Sequence, residues 1–185
     1  MKKKILLLTG TTGFVGYKFL LFALSNNFLI IDILRSKNKK NKKINKLKKL
    51  YPKKYKHIFF SSNKELSKKL KDIKADYFIN FATLYSNRHT HNQISDFINS
   101  NVLFPTLIYD IMNNKIKKMI NFGSMMQHSK NEKLTSKNFY AATKNAFEMI
   151  TNYYAEINTK SKFYNIKLYE SVGDKDTRKK IIPTI

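Results

Sequence analysis

The sequence predicts an alternating α/β fold with a mostly parallel sheet and helices on its faces, and three observations carry that reading. Short apolar runs alternate along the chain with stretches of helical periodicity, the pattern of strand–helix–strand units. The first run leads at once into a glycine-rich turn, Gly10, Gly13 and Gly16, placed to open a helix. At 185 residues the chain is long enough for one substantial core, and no repeat or linker divides it, so residues 1–185 read as one domain.

Lys4 to Leu8 is the first predicted strand, because a short apolar run ending in a glycine turn is too brief for a helix. Val15 to Leu24 is the helix after it, and Phe28 to Leu34 (FLIIDIL) the second strand. In the Lys/Asn tract that follows, Ile44, Leu47, Leu50 and Tyr51 recur at helical spacing, which predicts a basic amphipathic helix lying on the sheet. His57 to Phe60 is a short third strand, and Leu66, Leu70 and Ile73 mark another helix. Tyr77 to Phe81 is the fourth strand. Residues 92–112 keep a helical period with a kink or local break expected at Pro105, whose ring and missing N–H disturb a helix interior. Lys118 to Phe122 is the fifth strand, residues 139–157 a long helix with Phe147, Ile150, Tyr154 and Ile157 inward, and Asn165 to Tyr169 the sixth strand.

Composition removes several function classes. There is no Cys, which excludes disulfides, thiolate catalysis and cysteine-based metal sites. Met1 to Lys4 followed by Ile5 to Leu8 imitates the basic head of a signal peptide, but the apolar stretch stops after four residues at Thr9-Gly10. No apolar run approaches the roughly 20 residues of a membrane span, so a cytoplasmic protein with no membrane partner is expected. The formal charge of +24 invites a nucleic-acid reading. Its distribution argues otherwise: Lys37 to Lys56 is a Lys/Asn tract without Arg, and the whole chain holds only Arg35, Arg88 and Arg178. Readers of bases and phosphates rely on Arg forks. Lys and Asn enriched throughout read as compositional bias and a solvated surface, with no specific nucleic-acid partner.

Two motifs carry chemistry. Three of the five glycines fall within Gly10-Thr11-Thr12-Gly13-Phe14-Val15-Gly16, between a strand and a helix. Glycine there permits a tight turn, a close approach to a pyrophosphate and close strand–helix packing, while the helix N-terminus supplies N–H groups. Gly10, Thr12, Gly13, Phe14, Val15 and Gly16 are therefore candidate dinucleotide contacts. The second is Tyr140-x-x-x-Lys144, a phenol and an ammonium on one helix face, 16 residues after Ser124 at the end of the fifth strand. In so Lys-rich a chain the pair gains meaning from its position, not from its spacing.

These residues together resemble the short-chain dehydrogenase/reductase superfamily, and specifically its extended branch of NAD(P)-dependent nucleotide-sugar epimerases, dehydratases and reductases. The resemblance runs through TGTTGFVG, Asp76 to Thr83 (DYFINFAT), Asn101-Val102 with Leu107, Phe122-Gly123-Ser124, Tyr140-x-x-x-Lys144 and Lys167 to Gly173. It implies a Rossmann-type doubly wound sheet, catalysis by Ser124, Tyr140 and Lys144, and cofactor contacts from Ala82, Thr83, Asn101, Tyr140 and Lys144 beside the glycine turn. In that scheme Tyr140 exchanges the sugar hydroxyl proton, Ser124 orients the same oxygen, and Lys144 holds the nicotinamide ribose and, with the oxidised nicotinamide, lowers the phenol pKa from about 10. NVLFPTLIYD, INFGSMMQH and NFYAATKNAFE look most like bacterial enzymes acting on CDP- or dTDP-deoxysugars for surface polysaccharide. Phe122-Gly123 and Met125-Met126 depart from the family's small, serine-rich context, and Val172-Gly173-Asp174 stands where Tyr-Gly-Pro is usual.

The end of the second strand sets cofactor choice, since an acid there takes a ribose 2′-hydroxyl and repels a 2′-phosphate. Counting from Gly16 places that end at Leu34-Arg35-Ser36, and Arg35 with Lys37 favours NADP(H) over NAD(H). Asp32 is the counterweight, favouring NAD if the strand ends earlier. His89 and His91 have no ligand partners at metal spacing, so no metal is expected. His128 is at most a loop contact to substrate, and Glu132 and Glu170 read as surface or structural groups.

The family closes its site with a C-terminal substrate domain that a chain ending at Ile185 would largely lack. Two readings stay open: an epimerase, dehydratase or ketoreductase, or a dinucleotide-binding domain without turnover of its own or in need of a partner. A dehydratase wants an acid beside Ser124, and Met125-Met126 offers none, which favours reduction or epimerisation. By the resemblance, a homodimer would form through the helices 92–112 and 139–157.

Overall fold

A computed structural model describes residues 3–128, 136–157, 160–169 and 171–173. Glu132 and Glu170 lie outside the described residues. The strands are β1 (Ile5–Thr9), β2 (Leu29–Arg35), β3 (Tyr55–Phe60), β4 (Tyr77–Asn80), β5 (Lys118–Ser124) and β6 (Lys162–Leu168). All neighbours pair in parallel, in the order β3-β2-β1-β4-β5-β6. The chain runs outward from β1 to β3, returns to lay β4 beside β1, and runs outward again. The crevice above the β1/β4 boundary is thus the switch point where such sheets bind ligands.

The helices are α1 (Phe14–Ser25), α2 (Lys42–Leu50), α3 (Asn63–Leu70), α4 (Ile94–Ile98), α5 (Phe104–Met112) and α6 (Phe139–Ile157). α1 and α2 pack on one face through Leu20, Leu24, Ile44 and Leu47 against Leu6, Leu8, Ile30 and Leu34. α3, α5 and α6 cover the other with Leu66, Ile108, Met112 and Phe147 against Leu7, Phe78 and Met119. Leu6, Leu7 and Leu8 are all buried, which is why β1 reads as a continuous apolar run rather than an alternating one. Asn41 and Ser62 cap α2 and α3 by accepting from Ile44 N and Glu65 N, 3.2 Å in each case. After α1 and α5 the chain turns through Asn27 and Asn114 in the left-handed region, Asn taking the place usual for Gly.

The elements follow the sequence pattern with local differences. β3 begins two residues earlier than predicted, because Tyr55 and Lys56 pair with Ile30 and Ile31. Leu50 and Ile157, predicted inward, are exposed at the ends of their helices. The local disturbance expected at Pro105 takes the form of a π-helical turn over Asn99–Leu103 just before it; residues 94–112 otherwise stay helical, the wider turn accommodating the proline's ring and missing N–H.

A polar chain crosses this apolar sheet. Thr9 Oγ1 donates to Asn80 Oδ1 at 2.6 Å, Asn80 Nδ2 to Asn121 Oδ1 at 3.1 Å, Asn121 Nδ2 to Asn165 Oδ1 at 3.2 Å, and Asn165 Nδ2 to Thr151 Oγ1 at 2.8 Å. Each link joins residues in register on neighbouring strands until the last reaches α6. A one-residue slip would bury unpaired amides, so the chain fixes strand register. Replacing Asn121 by Ala removes the central link and strands the buried Asn80 amide and the half-buried Asn165 amide. Urea denaturation should show a loss of about 2–3 kcal/mol, and a loss below about 0.5 kcal/mol would deny the chain that role.

Candidate active site

The glycine turn leaves β1 and enters α1 across the end of β4. Gly10 has φ +71°, and a Cβ there would lie 2.3 Å from Ala82 N. A Cβ on Gly16 would lie 2.4 Å from Gly10 O, so both glycines are required by the fold itself. Gly13 differs. Its backbone is extended, and a Cβ would meet only Gly10 O at 3.4 Å, an ordinary contact. Space stays open above Gly13, at the N-terminus of α1, where N–H groups face outward. These features fit the pyrophosphate of a dinucleotide.

The turn forms one wall of a cleft of about 1400 Å³ that runs along the C-terminal ends of the strands. Gly10, Thr12, Gly13, Phe14, Val15 and Gly16 line it, as do Arg35, Ala82, Thr83, Ser124, Tyr140 and Lys144. Of the predicted contacts only Asn101 does not. It is 1% exposed, and its amide is consumed: Oδ1 accepts from Leu84 N at 2.6 Å and Thr83 Oγ1 at 3.2 Å, and Nδ2 donates to Leu84 O and Thr143 Oγ1. Asn101 holds the loop after β4 against α6 instead of facing a ligand.

Ser124 ends β5, and Tyr140 and Lys144 stand on the first turns of α6, facing it. The Tyr140 hydroxyl lies near the side chains of Ser124 and Thr83, whose hydroxyls favour its charged form. Ser124 Oγ accepts from Met126 N at 3.3 Å, which leaves its own proton for the phenol oxygen. Lys144 is buried with its Nζ 2.8 Å from Phe122 O and 6.0 Å from the centre of the Tyr140 ring. Burial pushes its ammonium down to about 8. Burial likewise raises the Tyr140 phenol above its ordinary value, against the lowering effect of the Thr83 and Ser124 hydrogen bonds. Here the Lys144 ammonium is given to the Phe122 carbonyl, and desolvation dominates the phenol. The phenol is therefore uncharged near neutrality.

β2 extends to Arg35, so Asp32 lies mid-strand, fully buried and away from the cleft wall, while Arg35, Lys37 and Asn38 line it. His128 does not line the cleft. His89 stacks on Phe139 with centroids 4.4 Å apart, and among the described residues no three His, Cys, Asp or Glu side chains cluster as for a metal. Two residues were not foreseen. Gln127 is fully buried: Oε1 accepts from Ser124 N at 2.8 Å, and Nε2 donates to Asn145 Oδ1 and Glu148 Oε2, both at 2.7 Å. It ties the Ser124 turn to α6, and the capping-box spacing Ser124-x-x-Gln127 is the signal that could have found it. Tyr85 lies edge-on to Tyr140 with centroids 5.0 Å apart; no local pattern marks it.

The model of the NAD dependent epimerase/dehydratase family matches residues 6–185. No curated protein matches the sequence. Similar solved structures include Pen from Bacillus thuringiensis, with TM-score 0.75 and 17% identity over 99% of this chain and 55% of that one. The UDP-Glc/GlcNAc 4-epimerase of Campylobacter jejuni has TM-score 0.73 and 16% identity over 89% of this chain and 53% of its own. A Burkholderia multivorans protein described as a short-chain dehydrogenase/reductase, with NADP bound, has TM-score 0.74 and 13% identity over 96% and 85%. At these identities the likeness is one of fold, and the chain spans about half the length of Pen and of the 4-epimerase. No described helix is long and apolar enough to cross a membrane.

The glycine geometry makes a prediction that separates fold from binding. Gly13→Ala should stay within about 1 kcal/mol of the parent in stability yet lose dinucleotide binding in calorimetric titration, whereas Gly16→Ala should destabilise the fold. Undiminished binding by Gly13→Ala would show that nothing approaches the turn there.

Proposed function

The chain belongs to the NAD dependent epimerase/dehydratase family, and on that premise we propose that it is an NADP(H)-dependent oxidoreductase acting on a nucleotide-activated sugar. The observation that carries this reading is the convergence of Ser124, Tyr140 and Lys144 on the same cleft as the glycine turn. A bound dinucleotide would supply the redox half of the chemistry. Tyr140, held protonated by burial, gives its proton to a sugar carbonyl oxygen, and Ser124 hydrogen-bonds the same oxygen. Lys144, at the foot of α6, holds the cofactor ribose. A phenol above its ordinary pKa suits the acid direction, and Met125-Met126 provides no base for elimination, so keto reduction or epimerisation is favoured over dehydration. The substrate class, a CDP- or dTDP-deoxysugar for surface polysaccharide in the cytoplasm, rests on the sequence resemblance.

Preference for NADP(H) is supported by the end of β2. Arg35 and Lys37 line the cleft there, and the one carboxylate among its described lining residues is Asp96, on α4. In moderate salt, which screens the general positive charge, NADPH should bind at least about tenfold more tightly than NADH. Arg35→Ala should remove that difference while leaving NADH affinity unchanged; equal affinities in the parent would overturn the preference. Tyr140→Phe should keep NADPH binding and lose about 10²–10⁴ in turnover of a 4-keto CDP- or dTDP-sugar, followed by NADPH absorbance. Equal turnover would end the assignment of Tyr140.

A second reading, favoured by an exposed apolar row on α6, is a dinucleotide-binding domain that turns over only with a partner polypeptide. A second copy is one such partner. On α6, Met149, Tyr153 and Ile157 recur every four residues and are 65%, 57% and 53% exposed, and Ile98 and Leu103 are exposed on the helical run before α5. Light scattering at micromolar concentration should give a dimer mass, and Tyr153→Glu a monomer. A monomeric parent would remove this pairing.

A further inference from the structure

Asp32 stands in mid-β2, in register with Leu8 on β1 and His57 on β3, and is fully buried. Its Oδ2 accepts two hydrogen bonds, from Thr11 Oγ1 at 2.6 Å and from Tyr55 OH at 2.5 Å. Its Oδ1 has no partner among the described residues. Thr11 belongs to the glycine turn and is the one residue of 10–16 that does not line the cleft; its side chain points into the protein and ends on Asp32. One carboxyl thus anchors the phosphate-facing turn to β3 across β2.

The groups around it do not supply a compensating cation. From β3, His57 packs edge-on to Tyr55, and burial with the Lys48 charge holds its pKa below the usual value, so it is neutral. From α2, Lys48 donates to the Pro52 and Tyr55 carbonyl oxygens. From α1, Tyr17 contributes a phenol near Tyr55. No Lys or Arg among the described residues forms an ion pair with Asp32.

We propose that Asp32 is a positioning residue of the dinucleotide turn and that its uncharged form is the one that receives the pyrophosphate. A proton on Oδ1 removes the buried charge and leaves both hydroxyl donors on Oδ2, so the anchor persists in either form. Only the carboxylate sets an uncompensated negative charge behind the backbone that would cradle two phosphates, where low dielectric preserves the repulsion. Desolvation raises the Asp32 carboxyl from 3.8 to about 7, against the lowering effect of both hydrogen bonds, so the change of form falls near neutral pH. Raising the pH through that value deprotonates Asp32 and weakens binding. By linkage, binding takes up a proton.

The inference rests on the dinucleotide reading, and NADH is the suitable probe because it lacks the titrating 2′-phosphate. In calorimetric titrations from pH 6 to 8, the parent's Kd for NADH should rise by about tenfold, with a buffer-dependent enthalpy that reports proton uptake near pH 7. Asp32→Asn, near-isosteric and uncharged, should flatten the rise and abolish the uptake. Lys144 also begins to lose charge towards pH 8, but it does so in both proteins, so the difference between them is the readout. Thr11→Val removes one of the two donors that favour the charged form and should move the midpoint to higher pH, which keeps the test available should Asp32→Asn not fold. An identical slope and uptake in Asp32→Asn, or an unmoved midpoint in Thr11→Val, would overturn the inference while leaving dinucleotide binding intact. No binding by the folded parent at any pH would overturn the dinucleotide reading and this inference with it.

Discussion

The site depends on a steric constraint at Gly10, where the exits of two strands and the first turn of a helix meet backbone to backbone. The space in which a Gly10 Cβ would sit is taken by the Phe81–Ala82 peptide, and that of a Gly16 Cβ by the Gly10 carbonyl. β1, β4 and α1 can therefore approach only if both positions lack side chains. That approach aims the N-terminus of α1 into the crevice where strand order reverses. It also brings Ala82 N within 3.2 Å of Asn80 Oδ1, the acceptor that Thr9 shares. From Asn80 the polar chain continues to Asn121 and Asn165, so the contact that shapes the dinucleotide wall also fixes the register of β5. Ser124 stands at the end of β5, and the cleft wall that carries Ser124, Tyr140 and Lys144 is thus positioned by the same chain of contacts.

Much of this was legible in the sequence because it depends on local periodicity or on a motif bound to an element boundary. The apolar runs at Ile5 to Leu8 and Leu29 to Leu34 gave their strands, the 3.6-residue spacing of Phe147, Ile150 and Tyr154 gave α6, and the glycine spacing located the turn. What was not legible depends on pairings far apart in the chain. Asn80, Asn121 and Asn165 look like three more Asn in an Asn-rich sequence until parallel register sets them side by side. Asn101 falls at the family's position yet turns inward, because Leu84 and Thr143 reach its amide first. Pro105 marked where the helix is disturbed but not the form the disturbance takes, a preceding turn widened to π geometry. The direction of the Tyr140 shift depends on burial, which neither spacing nor motif reveals.

Burial sets the chemistry of the site more than pairing does. Lys144 is a buried ammonium whose hydrogen-bond partner is a neutral carbonyl, Asp32 is a buried carboxyl held by two hydroxyls, and each is pushed towards its uncharged form. A fold gains nothing in stability from such groups, because the desolvation cost exceeds what neutral partners return. Their placement on opposite sides of one cleft, Lys144 on the catalytic wall and Asp32 behind the glycine turn, makes the apo protein electrostatically incomplete. An anionic dinucleotide would favour the charged form of the first and the uncharged form of the second, so both groups would bind protons more tightly in its presence.

The excess of 36 Lys and Arg over 12 Asp and Glu acts at longer range. Only four ion pairs form among the described residues, and three of them involve an exposed lysine, so most of the positive charge is solvated. A solvated field of one sign raises the local concentration of any polyanion but cannot tell one from another, and salt screens it within about 10 Å. Discrimination would have to come from the few basic groups that line the cleft, Arg35 and Lys37 at the end of β2 and Lys144 on α6. The two contributions are separable in principle. A surface field speeds the encounter with any phosphorylated ligand and fades with ionic strength, whereas close-range contacts within a cleft persist in salt.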